Sequence, residues 1–239
     1  ILIADTSNKI TIGSTDGTLD TPNVISGNTS HGVSITAAST GSVTIAENYI
    51  GINGAANAAL ANGGDGVNIT SSGGVTFGVA SSSSTLNLIG GNTGDGIDVT
   101  SNADTIGIYS SSIGVNNATD LGNGGDGIIV QGSPTAVVTI GNGTTGQNVV
   151  SGNAGYGVKI AAGNSHIVKG NSIGTNKAAN GAVANDLGGV NVTGGSSTTI
   201  GGTGSGDGNT IGGHVGANDA DITVGSSASG VGIYGNYIG

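Results

Sequence analysis

The chain has 239 residues, among them 51 glycines, 14 Asp or Glu, four Lys and no Arg, for a formal charge of −10. Nucleic-acid binding needs a basic footprint that four scattered Lys cannot supply, and no apolar run approaches the roughly 18–20 residues of a membrane span. With one Phe, five Tyr, no Trp and no Met, a globular core would be poorly filled; such a Gly-, Ser- and Asn-rich chain would read as disordered if its aliphatic residues did not keep register.

From the N-terminus, a strand-like run at Ile1-Leu-Ile3 is followed by Ile10 and Ile12, and then by Asn23-Val-Ile-Ser26. These three segments keep returning. The first recurs as Gly32-Val-Ser-Ile35, Gly66-Val-Asn-Ile69, Gly96-Ile-Asp-Val99, Gly127-Ile-Ile-Val130, Gly157-Val-Lys-Ile160 and Gly189-Val-Asn-Val192, at intervals of 34, 30, 31, 30 and 32. The second recurs at Val43/Ile45, Val75/Phe77, Ile106/Ile108, Val138/Ile140 and Val231/Ile233. The third recurs as Asn48-Tyr-Ile-Gly51, Asn87-Leu-Ile-Gly90, Asn148-Val-Val-Ser151, Asn171-Ser-Ile-Gly174 and Asn209-Thr-Ile-Gly212.

Alternation with period two, bounded by Gly, Asn and Ser, predicts strands. A fixed period of thirty-odd residues predicts one stacked unit. The expected fold is all-β: a single-stranded right-handed parallel β-helix over residues 1–239, with three short strands in a turn of about 31 residues. Asn23, Asn87, Asn148 and Asn209 are separated by 64, 61 and 61, which adds a two-turn super-repeat of about 62 residues. Alternate turns place extra residues between the second and third strands (14–20, 80–85, 142–147, 202–208) or after the third (54–62, 177–185). Loops on a rigid scaffold are where binding is expected.

Four residues before each repeat glycine stands an Asn, at 28, 62, 92, 123, 153 and 185, which predicts a stacked amide ladder rather than a ligand-binding row. The residue just before each glycine runs His31, Asp65, Asp95, Asp126, Tyr156, Gly188. Asp65, Asp95 and Asp126 would stand about 5 Å apart. Either they splay into water as solvated Asp-Gly turns or a cation bridges them, so they are the candidate calcium ligands. Asp98 and Lys159 lie two turns apart on the outward face, too far for acid–base partnership, and with Glu47 the sole Glu no catalytic site is expected. His166 falls at an inward-type position, or Ile167 does if the register slips by one. His214 reads as standing in the third-strand Asn position.

These phrases, Asn148-Val-Val-Ser-Gly-Asn153 with Gly157-Val-Lys-Ile160 above all, resemble those of right-handed parallel β-helix repeat proteins of bacterial surfaces and secretions, on the pectate-lyase-like scaffold. The resemblance implies an extracellular or cell-surface location. The scaffold serves lyases, hydrolases, adhesins and filaments alike. The function expected is a non-catalytic structural or adhesive segment, with a carbohydrate-active enzyme or carbohydrate-binding module as the alternative and polysaccharide as a possible partner. The chain opens on Ile1-Leu-Ile3 and closes on Asn236-Tyr-Ile-Gly239, so a fragment of a longer solenoid, or self-association end to end, is expected.

Overall fold

The computed structural model describes all residues except 5–8, 16–20, 37–40, 71–72, 82–86, 101–104, 118, 133–136 and 215–219. Parts of two expected inserts, 16–20 and 82–85, therefore lie outside the described residues.

The three recurring segments become three parallel sheets wound as one β-solenoid of right-handed type. The first sheet stacks Leu2–Ile3, Val33–Ile35, Val67–Ile69, Ile97–Val99, Ile128–Val130, Tyr156–Ile160, Gly188–Val192 and Ile222–Val224 in chain order. The second begins with Ile10–Gly13 and Val43–Ala46 and ends with Gly232–Tyr234; the third runs from Asn23–Ile25 to Tyr237–Ile238. Strict register, as in Val67↔Ile97↔Ile128 and Ile69↔Val99↔Val130, puts like residues over like.

Every second residue of each strand points inward, so Val and Ile form columns with almost no solvent exposure, and Phe77 fits between Ile45 and Ile108 in one of them. Branched side chains suit these pleated walls. The repeat glycine is imposed by the narrowness of the corner. A Cβ at Gly96 would lie 2.5 Å from the Gly127 carbonyl oxygen, 2.7 Å from Ile113 and 3.0 Å from the Asn123 amide. Among the described residues no helix is long and apolar enough to cross a membrane.

Two amide ladders, not one, seal the corners. The expected ladder runs Asn28, Asn62, Asn92, Asn123, Asn153, Asn185, each Nδ2 donating to the next Oδ1 at 2.7–2.9 Å. The Asn that opens the third strand forms the other, from Asn23 to Asn48 at 2.9 Å and from Asn148 through Asn171 and Asn209 to Asn236 at 2.9–3.0 Å. Ser111 takes one rung of it.

Candidate functional site

Asp65, Asp95 and Asp126 do form a column on the corner that leads into the first sheet, and each turns one carboxylate oxygen onto the backbone of the next turn. Asp65 Oδ1 accepts the backbone N–H of Asp95 at 2.9 Å, Asp95 Oδ1 that of Asp126 at 2.5 Å, and Asp126 Oδ1 that of Tyr156 at 2.7 Å. Asp126 is 7% exposed and Asp65 and Asp95 are partly buried, because an acceptor placed one residue before the repeat glycine faces the N–H of the next turn. Gly94, Gly125 and Gly155 make room. A Cβ on them would lie 2.2, 2.2 and 2.3 Å from the Oδ1 of Asp65, Asp95 and Asp126. Their signal, a Gly immediately before each column residue after the first Asp, was available in the sequence.

The remaining oxygens form a small charged network. His31 Nδ1 accepts the Asp65 N–H at 3.1 Å and lies 3.1 Å from Asp65 Oδ2. Asn68 Nδ2 donates to Asp65 and Asp98, and Gln131 Nε2 to both Asp98 oxygens at 3.0 and 3.1 Å. Lys159 pairs with Asp126 at 3.5 Å, so the register separates it from Asp98 as expected. The outward Asp98 is buried under Gln131. Burial pushes the Asp95 carboxyl up to about 6; the bond from Asp126 N–H opposes this, and repulsion from Asp126, Asp65 and Asp98 adds to it. Burial likewise raises Asp98, with the Gln131 bond opposing. Among the described residues no three His, Asp or Glu side chains converge on a point that could hold a metal ion.

His166 is fully buried while Ile167 is paired on the outward column with Thr139 and Thr199, so the register does not slip. Its Nδ1 accepts the Val138 N–H at 3.0 Å, which leaves Nε2 to donate to the Ala162 carbonyl at 3.1 Å. Burial lowers its pKa. The placement of His214 is corrected. It takes the corner-ladder position after Asn185, where the repeat glycine of its turn is Asp221, and its Nδ1 lies 2.7 Å from Asp221 Oδ1.

A concave surface lies elsewhere, on the outer face of the third sheet. The inserts after the third strand are small hairpins in alternate turns, closed by Ile52↔Ala59, by Val115–Asn116 with Thr119–Asp120, and by Thr175↔Ala182. The middle hairpin is absent from the expected inserts, although Gly114-Val-Asn-Asn117 stands in the same phase. Asn116 Nδ2 donates to the Ala56 carbonyl at 2.8 Å and locks the first two hairpins together. On the opposite edge, Asn142 donates to Ala80 and Lys169 pairs with Asp207 at 3.1 Å. Beside the hairpins a cavity of about 180 Å³ has Tyr49, Leu88, Ser112 and Val149 for its floor and Asn116, Asn117 and Lys177 at its side.

Comparison with protein-family models, curated proteins and solved structures finds no match to this chain.

Proposed function

We propose that the chain is a non-catalytic structural or adhesive segment of an extracellular, cell-surface protein or filament. The observation that supports this most directly is the use of the column carboxylates. Asp65, Asp95 and Asp126, the groups best placed for chemistry, each spend one oxygen on holding the following turn. A parallel stack tied by two amide ladders and a carboxylate column resists bending and shear, and it holds hairpins at fixed spacing along one edge. The test offers the purified chain a panel of polysaccharides and cell-wall fractions and follows both turnover and retention. Retention without turnover is expected; catalytic release of product would overturn the reading.

A second reading, carbohydrate binding, is favoured by the cavity over the third sheet. An aromatic and aliphatic floor beside Ser, Asn and Lys suits the apolar face and hydroxyls of a pyranose ring. Titration calorimetry with oligosaccharides checks it: heat that Tyr49→Ala abolishes supports the site, and no heat at any accessible concentration removes it.

A further inference from the structure

We propose that Asn180 is a site of spontaneous deamidation, and that the solenoid protects its other Asn-Gly pairs to very different degrees. The inference goes beyond the proposed function and does not rest on it. Asn-Gly occurs at 53–54, 62–63, 123–124, 142–143 and 180–181. Glycine lacks the Cβ that would otherwise hinder attack by its backbone nitrogen on the preceding side chain.

In the reaction the Gly181 nitrogen loses its proton and bonds to Cγ of Asn180. The Cγ–Nδ2 bond breaks and ammonia leaves with a proton. Water then opens the cyclic imide at either carbonyl, giving aspartate or isoaspartate, with no change of oxidation state.

The ladder blocks both partners of this step. Asn62 Nδ2 donates to Asn92 at 2.8 Å and to the Ile25 carbonyl at 3.1 Å, its Oδ1 accepts from Asn28, and the would-be attacking nitrogen of Gly63 is bonded to the Asn28 carbonyl at 2.8 Å. Asn123 and Gly124 are held the same way through Asn153, Asn92 and the Asn92 carbonyl. In the first hairpin Asn53 is pinned by accepting from the N–H of Asn57 and Ala58 and donating to Asn57 Oδ1. Asn142 donates to Ala80, and Gly143 is buried against Gly170.

The third hairpin differs. Asn180 is exposed, its Oδ1 accepts only from Asn176 Nδ2, and among the described residues Gly181 N–H has no acceptor. The residue matching it in the first hairpin, Asn57, is followed by Ala58 and so lacks the permissive neighbour. Conversion to isoaspartate would lengthen the backbone of the hairpin that carries Lys177, at the side of the cavity over the third sheet.

The full chain, folded and at mildly alkaline pH, is followed by peptide mapping with mass spectrometry. Asn180 is expected to convert to aspartate and isoaspartate at least about tenfold faster than Asn62 and Asn123, since the ladder must first release two or more buried hydrogen bonds. In urea the pairs should react at similar rates, and Gly181→Ala should slow Asn180 alone in the folded chain. Equal rates at Asn180 and Asn62 in the folded chain would overturn the proposal, as would an unchanged Asn180 rate in Gly181→Ala.

Discussion

Two side-chain columns climb the same corner of the solenoid three residues apart, and they end differently. The amide column occupies six successive turns from Asn28 to Asn185, whereas the carboxylate column occupies three, from Asp65 to Asp126. An amide donates and accepts, so each rung satisfies the next and carries no charge. A carboxylate only accepts, so it must borrow a backbone N–H from the next turn and leaves its charge beside its neighbours. The cost appears at the middle rung, where burial and three nearby carboxylates hold Asp95 at about 6. Complementary hydrogen bonding lets a column propagate; acceptor-only stacking limits itself.

The largest expected effect comes from breaking the amide column. Asn123 accepts from Asn92 N and Nδ2 and donates to Asn153 and to the Ile89 carbonyl, all in the buried corner. Asn123→Ala should cost about 3 kcal/mol, because it strands buried donors and acceptors on both sides. Chemical denaturation reads this directly. A loss well under 1 kcal/mol would mean that the ladder contributes little beyond the backbone sheets.

Next in size is the close approach on the carboxylate side. Gly125→Ala puts a Cβ 2.2 Å from Asp95 Oδ1 and should cost about 2 kcal/mol by overpacking. The same substitution should cost much less in an Asp95→Ala background. A double-mutant cycle that shows no coupling would detach the glycine from the carboxylate.

These two sites also mark how far the sequence could be read. Strand count, turn length and the corner Asn ladder follow from intervals alone, since identical residues at one phase of a parallel stack must lie over one another. The position of Asp65, Asp95 and Asp126 in one column follows for the same reason. The partner of each carboxylate does not, because it is a backbone N–H of the next turn and backbone leaves no mark in composition. Gly94, Gly125 and Gly155 were its trace, hidden among 51 glycines. The middle hairpin went unseen because, beyond Gly114-Val-Asn116, it lacks the Ala-rich run of its neighbours.

A smaller effect should follow from converting the middle rung into the other kind. Asp95→Asn keeps an Oδ1 for the Asp126 N–H and removes the charge. Asp95 is held above its ordinary value of 3.8 in the folded chain, so folded protein binds the proton more tightly than unfolded. Its stabilising contribution is therefore complete below pH 4 and is lost as pH rises through about 6. At pH 8 the variant should be more stable by about 1 kcal/mol, an amount reduced by the partial exposure of the site, and its stability should vary less between pH 4 and 6. Calcium supplies the converse measurement. A rise in melting temperature at millimolar Ca²⁺ that Asp95→Asn abolishes would place an ion across the column and relieve the repulsion.

The smallest change at neutral pH, and the sharpest test of the comparison, lies at His166. Its imidazole donates through Nε2 and accepts through Nδ1, as an amide would, yet it can titrate. Burial lowers its pKa below the ordinary 6.5, so the folded chain resists the second proton. Its contribution is full above pH 6.5 and is lost as pH falls below that value, the opposite direction to Asp95. His166→Val restores an aliphatic residue over Val138 and should change stability at pH 8 by under about 1 kcal/mol, lost hydrogen bonds offsetting gained apolar packing. Below pH 6.5 the variant should lose the acid-side decline that wild type shows. With Asp95→Asn combined, little should remain of the pH dependence these two groups confer, because the remaining amide ladders have no proton to exchange. If the doubly substituted chain still weakens steeply between pH 7 and 5, titration elsewhere controls the fold, and the contrast between amide and titratable rungs does not govern its response to acid.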